Sequence, residues 1–303
     1  MRRTPKLTRT MNSAVLRMAR APELFLCIAA VLSWSGGAGG QEPAVPALTA
    51  TQVVEKPELL HARLLAANPG YAGHAEFFQD QDMGLVGDLS SDPVIADLSP
   101  LRDIPFNALD LRGLAVVDLA PLRGMPLKVL CLEGTRVTDL APLKGMKLEK
   151  LYLNDTAVRD LAPLLGMPLT EIILIGTRID SLAPLNGAPL QSLWLNGLPV
   201  TDISPLAKSP LVSLTLEGTK VSDLGALSGM TSLQRLHVGG TPVTDLTPLK
   251  DLRLTRLIFT PATVKKGLDG IRAMGTITEL GVTLEGRMPP EQFWALHDQG
   301  KLK

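Results

Sequence analysis

The sequence predicts an α/β repeat protein, a solenoid with a curved parallel sheet on its concave face and short helical turns on its convex face. Hydrophobic residues make up 45% of the 303 residues and aromatic residues only 4%, so the core must be mostly aliphatic. A chain of this kind stacks units that each bury their apolar side against a neighbour. A Leu-x-Leu pattern recurs at a nearly constant interval, starting at Leu109, Leu130, Leu151, Ile172, Leu193, Leu214, Leu236 and Leu257.

One complete unit, residues 127–143, reads L-x-x-L-x-L-x-x-T-x-V-x-x-L-x-x-L. This is the leucine-rich-repeat pattern, with Thr in the position usually held by Asn. Leu130-Cys131-Leu132 alternates with a period of two, so it predicts a short strand with both leucines facing inward and Cys131 facing outward. Eight such strands at about 4.8 Å spacing give a concave face on the order of 35 Å long.

Two polar columns follow the same period. The first is expected to hydrogen-bond the backbone of the neighbouring repeat, although Leu114 and Leu198 interrupt it; it contains Thr135, Thr156, Thr177, Thr219 and Thr241. An acidic residue before Leu, as in Asp139-Leu-Ala-Pro, is expected to cap the short convex helix. A calcium ladder is the alternative, but the loops lack several oxygen ligands per site. The acidic column contains Asp97, Asp118, Asp139, Asp160, Asp202, Asp223 and Asp245.

The segment 1–40 is typical of a secretory signal peptide. Six basic side chains precede an apolar run over 24–34, and small residues follow it to Gly40. The run is well short of the roughly 20 residues that span a bilayer, and cleavage after Gly40 fits best, with an uncleaved anchor as the alternative. Removing this segment takes away six basic side chains and one acidic side chain. The excess of acidic over basic side chains that remains makes the mature chain mildly acidic.

The ends of the solenoid differ from its repeats. Residues 41–57 are rich in Pro, Ala and Thr and predict a linker. An N-terminal cap is expected over 58–92, in which an amphipathic helix over 57–67 joins Tyr71, Phe77 and Phe78. The repeats cover 93–282 and end with a helix over 263–273 and a strand over 276–282. A C-terminal tail, 283–303, is expected to close the core with Phe293 and Trp294.

The outward strand positions form the candidate binding site. The central column is Asp110, Cys131, Tyr152, Ile173, Trp194, Thr215, His237 and Ile258. Lys150, Glu171 and Ser192 form one flanking column, and Asn154, Ile175 and Asn196 form the other. Aromatic anchors with a polar rim are typical of a binding hot spot. We therefore expect one exposed apolar patch, rimmed by the flanking polar residues and made of Tyr152, Ile173, Ile175 and Trp194. The alternative is that these side chains only pack laterally and stiffen the sheet.

Catalytic chemistry has little support. His61, His74, His237 and His297 show no metal-ligand spacing, and Cys131 has no histidine in an obvious partner position. No catalytic residue, metal or cofactor is predicted. The acidic mature chain also lacks the basic surface of a nucleic-acid-binding protein. Cys131 is the one cysteine that follows the signal-peptide segment, so packing and not a disulfide must stabilise the fold.

The repeat Thr-x-Val-x-Asp-Leu-x-Pro-Leu-x-Gly-Met-Pro-Leu resembles the leucine-rich-repeat regions of planctomycete-type bacteria and, more distantly, internalin-type repeats. Residues 65–73, 265–272 and 290–298 resemble the lead-in, exit helix and tail of the former, so the resemblance covers about residues 60–303. In many such proteins the repeats follow a protein kinase domain. Its glycine-rich loop, His-Arg-Asp and Asp-Phe-Gly motifs do not occur here. The resemblance implies a recognition module without the enzyme.

The sequence thus predicts a non-catalytic, exported binding protein, located in the periplasm, on the cell surface or outside the cell. A protein partner at the cell envelope is the favoured ligand. A cell-surface polysaccharide, stacked on Tyr152 and Trp194, is the second alternative. A structural role in the envelope without a specific ligand is the third.

Overall fold

The computed structural model describes residues 48–302. The signal peptide predicted over 1–40 and residues 41–47 of the predicted linker lie outside the described residues. Within the described part, the eleven strands form one sheet in which each strand lies beside the next in chain order. They are β1 (Glu76–Asp80), β2 (Gly84–Asp88), β3 (Ala108–Asp110), β4 (Val129–Cys131), β5 (Lys150–Tyr152), β6 (Glu171–Ile173), β7 (Ser192–Trp194), β8 (Ser213–Thr215), β9 (Arg235–His237), β10 (Arg256–Ile258) and β11 (Glu279–Gly281).

The strand register explains how the apolar core forms. Strands β2 to β11 are parallel. From β3 onward the pairings match equivalent positions of successive repeats, such as Leu109 with Leu130 and Leu130 with Leu151. The leucines on either side of each outward residue are fully buried, as Leu130 and Leu132 illustrate. Stacking therefore produces one continuous aliphatic core, as the repeat period predicts.

Short 3₁₀ helices form the convex side. They are η1 (Ser99–Leu101), η2 (Ala120–Leu122), η3 (Ala141–Leu143), η4 (Ala162–Leu164), η5 (Ala183–Leu185), η6 (Ser204–Leu206), η7 (Gly225–Leu227), η8 (Thr247–Leu249) and η9 (Pro261–Thr263). The acidic column caps seven of them, as predicted. The Asp139 carboxylate accepts a hydrogen bond from the Ala141 amide at 2.8 Å, and the other six aspartates of the column do the same two residues ahead.

The threonine column is buried, but its hydrogen bonds differ from the prediction. The Thr135 hydroxyl donates to the carbonyl oxygen of Leu132 at 2.7 Å, which lies in its own repeat and not in the neighbouring one. Thr156, Thr177, Thr219 and Thr241 bond in the same way to the carbonyl three residues earlier. A short hydroxyl-bearing side chain reaches back along its own turn, whereas the longer Asn side chain extends further from its backbone. These threonines close the turn after each strand.

The N-terminal part of the described chain contains more structure than predicted. The helix expected over 57–67 is confirmed as α2 (Pro57–Ala67). The predicted linker is wrong in its last residues, because α1 (Ala50–Glu55) is a helix with a capping box between Thr49 and Gln52 and a fully buried Val53. Strands β1 and β2 form an antiparallel hairpin, and β2 then pairs with β3. The hairpin starts the sheet on which the repeats stack.

The C-terminal end also shows one correction. The helix expected over 263–273 shortens to α3 (Leu268–Arg272), because the amide groups of Lys265 and Lys266 bond to the Thr244 carbonyl and extend the chain there. The final helix, α4 (Pro290–Asp298), closes the core as expected. The Phe293 ring is fully buried at 5.5 Å from the Phe259 ring, and Trp294 is also buried.

Candidate functional site

The outward column lies in register across the sheet, as predicted. Strand pairing places Asp110, Cys131 and Tyr152 side by side, then Ile173, Trp194, Thr215, His237 and Ile258. Because equivalent residues of neighbouring parallel strands are about 4.8 Å apart, their side chains contact one another along the column. Whether a side chain of this column is accessible therefore depends on the size of its neighbours.

The exposure expected for part of the patch is wrong. Only 2% of Cys131 and 7% of Tyr152 is exposed, while Ile173, Ile175 and Trp194 are half-buried. Burial, together with the nearby Glu171 carboxylate, raises the pKa of Tyr152. Lateral packing against neighbouring strands thus explains why Tyr152 is buried. The accessible apolar strip consists of Ile173, Ile175 and Trp194, and the name apolar strip refers to these residues below.

Polar side chains border the apolar strip on both sides. On one side the Lys150 ammonium lies 3.6 Å from the Glu171 carboxylate, and the Trp194 indole donates to the Ser192 hydroxyl at 3.1 Å. On the other side the Asn196 amide donates to Glu217 at 2.8 Å. The structure therefore brings together all eight residues of the predicted site: Lys150, Tyr152, Asn154, Glu171, Ile173, Ile175, Trp194 and Asn196.

Two side-chain oxygens of the border have no hydrogen-bond partner among the described residues. They are Oδ1 of Asn154 and Oδ1 of Asn196, both buried, and they stand on the repeats before and after Ile175. A buried acceptor without a partner carries a desolvation cost.

The N-terminal end of the face is polar. Arg112 forms a bidentate pair with Asp110, with Nη2 to Oδ2 at 2.6 Å and Nε to Oδ1 at 2.9 Å. Arg112 borders a shallow depression of about 320 Å³ lined also by Ser90, Gly113, Glu133, Gly134 and Asp155. Burial raises the pKa of Glu133. The depression has mixed charge.

The C-terminal end of the face is covered, which the sequence reasoning missed. After β11 the chain turns back, and residues 282–288, which we call the strap, lie over the outward column. Leu280 and Met288 exchange two backbone hydrogen bonds of 3.0 and 2.8 Å. A Cβ atom on Gly281 would be 2.8 Å from the Thr283 carbonyl oxygen. The strap explains why Ile258 is fully buried and His237 only 5% exposed. Gly281 continues the outward column after Ile258, and a glycine among these larger residues is the sequence signal that could have indicated the close approach of the strap.

The groups with catalytic potential are dispersed. His61 contacts Tyr71, His74 contacts Asp92, His297 contacts Asp298, and His237 lies beneath the strap. Burial raises the pKa of the Cys131 thiol, which makes the thiolate less accessible at neutral pH. Within residues 48–302, no three His, Cys, Asp or Glu side chains gather into a metal-binding arrangement. The same residues include no helix with the length and apolar character to cross a bilayer.

The parallel sheet, the constant repeat period and the capped convex turns define a leucine-rich-repeat solenoid. Among solved structures, the chain is similar to an internalin from Listeria monocytogenes, with 27% identity and a TM-score of 0.60 over 65% of this chain and 60% of the internalin. It is also similar to internalin C2 from the same organism, with 22% identity and a TM-score of 0.56 over 73% of this chain and 100% of that protein. The chain thus spans less than two thirds of the first internalin.

No protein-family model matches the chain, and no curated protein sequence is similar to it at a significant level. The two internalin structures support the resemblance to internalin-type repeats. They give no support to the resemblance to planctomycete-type repeat regions, which stays a prediction.

Proposed function

We propose that this chain is an exported, non-catalytic binding module whose concave face takes a protein partner at the cell envelope. The observation that carries the proposal is the apolar strip. Ile173, Ile175 and Trp194 stay partly open in the middle of the face, next to Cys131 and Tyr152, which are packed away. An apolar centre with a polar rim and a tryptophan anchor is the usual composition of a protein–protein hot spot.

The composition of the apolar strip supports a protein more than a polysaccharide as the ligand. Stacking of sugar rings was expected on Tyr152 and Trp194, but Tyr152 is buried and offers no ring face for stacking. Ile173 and Ile175, on successive outward positions, instead favour an apolar side chain from a protein.

Export is supported by the signal-peptide pattern over 1–40. Cys131 is the one cysteine after that segment, so the exported protein would be stabilised by packing and not by an intramolecular disulfide. Expression in a bacterium with fractionation tests it. We expect the protein in the periplasm or medium, with a mature N-terminus near Gln41 by mass spectrometry. An unprocessed chain in the cytosol would contradict export and leave the binding proposal standing.

The binding proposal is tested by comparing two variants. One loses apolar side chains from the concave face, and the other loses them from elsewhere on the surface. One variant carries Ile173→Ala, Ile175→Ala and Trp194→Ala. The matched control carries Val117→Ala and Leu165→Ala, at residues that are 56% and 67% exposed and lie off the concave face. Both must show wild-type circular dichroism and urea unfolding before use.

The assay is cross-linking to envelope extract of the source organism, followed by direct binding with the purified captured protein. We expect the control to bind like wild type and the strip variant to lose at least about 2 kcal/mol, roughly 30-fold in Kd. Equal binding by both variants would refute the concave site. Binding to purified envelope polysaccharide that depends on Trp194 alone, with no protein captured, would favour the polysaccharide alternative.

A further inference from the structure

The strap is a thin cover. Thr283, Glu285, Gly286 and Arg287 are exposed, and Val282 and Leu284 are only half-buried. Val282 and Met288, at its two ends, pack against the aliphatic core. Its polar contacts are the two backbone bonds between Leu280 and Met288, a 3.8 Å ion pair between Arg287 and Glu279, and a turn closed by the Gly286 amide on the Thr283 hydroxyl. Segments with little apolar burial open locally at low free-energy cost.

His237 lies directly beneath this cover. A Cβ atom on Gly239 would be 2.9 Å from His237 Nε2 and 3.1 Å from the Val282 carbonyl oxygen, so the ring occupies space that only glycine leaves open under the strap. The Nε2 atom is buried and has no hydrogen-bond partner among the described residues. The neutral ring tolerates this place, whereas an imidazolium would carry an unpaired N–H there.

Two charged groups face the ring. Glu217, which follows β8, has a carboxylate oxygen 3.8 Å from Nδ1, and Glu285 faces it from the strap. Both carboxylates favour the protonated ring, and burial opposes it. Burial is the larger effect, and the pKa of His237 is lowered from its ordinary value.

We propose that the strap is a pH-sensitive cover, closed over the outward column while His237 is neutral and opened when His237 takes up a proton. Opening hydrates the imidazolium and uncovers Ile258, which lengthens the accessible part of the column toward the C-terminal end. The effect on binding rests on the proposed function of the concave face. The opening itself does not, because it occurs in the free protein.

The direction follows from proton linkage. A histidine whose pKa is lower in the closed form than in the open form favours the open form as the pH falls below the ordinary value of about 6.5. The opening constant then rises by up to about tenfold for each pH unit, until the pH reaches the pKa of the closed form. Above pH about 6.5 the strap stays closed.

Hydrogen exchange of the free, purified protein tests this at about pH 7.5, 6.5 and 5.5, with each rate divided by its intrinsic chemical rate at that pH. We expect the protection of peptides covering 280–288 to fall by up to about tenfold between pH 6.5 and 5.5, while peptides from β5 to β7 keep theirs. His237→Gln, which cannot take up the proton, should remove the change. His74→Gln, at an exposed histidine of the N-terminal cap, should retain it.

Three outcomes would overturn the proposal: equal protection of 280–288 at all pH values, a loss shared by the whole solenoid, or a loss that persists in His237→Gln. If that variant does not fold, the proposal is tested by two measurements on the wild-type protein: hydrogen exchange, as above, and an NMR titration of the His237 imidazole. A pKa below about 6.5 is expected, and a value at or above 6.5 refutes the cover. None of these measurements involves a partner, so their failure leaves the binding proposal to its own test.

Discussion

At the scale of single residues, the turn after each strand needs a backbone in the left-handed region. Glycine holds this position in most repeats, for example Gly176 with φ of 74° and Gly197 with φ of 73°. Asp155 holds it in one repeat, with φ of 54°. Asp tolerates this region better than most residues that carry a Cβ atom. The Asp155 side chain extends over the next repeat, because a Cβ atom on Gly176 would be 2.2 Å from its Oδ1.

This difference allows two contributions to be separated. Gly197→Ala introduces a Cβ with no atom within 4 Å, so we expect it to cost only the left-handed backbone, about 1–2 kcal/mol in the free energy of unfolding. Gly176→Ala meets Asp155 as well and should cost about 1 kcal/mol more. Urea unfolding of both variants measures the difference. In an Asp155→Gly background the part of the extra cost that comes from the Asp155 side chain should disappear, while the backbone contacts at 3.1 and 3.2 Å remain. Equal costs in the wild-type background would refute the contact.

At the scale of elements, the repeat pattern predicts those structural features that recur at equivalent positions of successive repeats. The strand register, the buried leucines and the aspartate caps follow from period and residue type alone. Burial along the outward column does not, because Tyr152 is covered by its lateral neighbours and His237 by the strap. The hairpin of β1 and β2 occurs once and matches no repeat. Its glycines and aromatic residues gave no periodic signal from which a strand pair could be inferred.

The convex helices offer an element-scale prediction. In seven of them an aspartate accepts from the amide two residues ahead at 2.7 or 2.8 Å. In η5 the Ser181 hydroxyl takes this place, at a longer distance of 3.4 Å from the Ala183 amide. Ser181→Asp should restore the short bond and raise the free energy of unfolding by about 0.5 kcal/mol. The reverse change, Asp160→Ser in η4, should lower it by a similar amount. A neutral or destabilising result for Ser181→Asp would show that the cap in η5 is limited by something other than its acceptor.

At the scale of the whole molecule, one aliphatic core runs through the described residues and is closed at each end. A histidine with a lowered pKa lies near each end. His61 in α2 is half-buried, with its Nδ1 atom 2.6 Å from the Tyr71 hydroxyl and its ring stacked on Tyr71. Burial lowers its pKa against the opposing effects of Asp92 and Glu58. Because each repeat is stabilised by its neighbours, loss of stability at an end propagates into the solenoid.

The stability of the protein should therefore fall as the pH drops below neutrality. Both histidines bind protons more tightly in the unfolded chain, where the pKa is about 6.5, so their contribution is complete above that pH and is lost as the pH falls toward the lower pKa of the folded state. One fully linked proton costs at most about 1.4 kcal/mol per pH unit, and His61, being half-exposed, contributes less than this limit.

Urea unfolding between about pH 7 and 5 separates the two ends. His61→Gln and His237→Gln should each reduce the slope of the unfolding free energy against pH, and the double variant should be nearly flat. The aspartates with lowered pKa, such as Asp202 and Asp245, titrate below this window because hydrogen bonds favour their ionised forms. A slope that persists in the double variant would mean that a group other than these histidines binds the proton on unfolding. A slope lost in His237→Gln alone would place the acid-sensitive end of the solenoid at the strap.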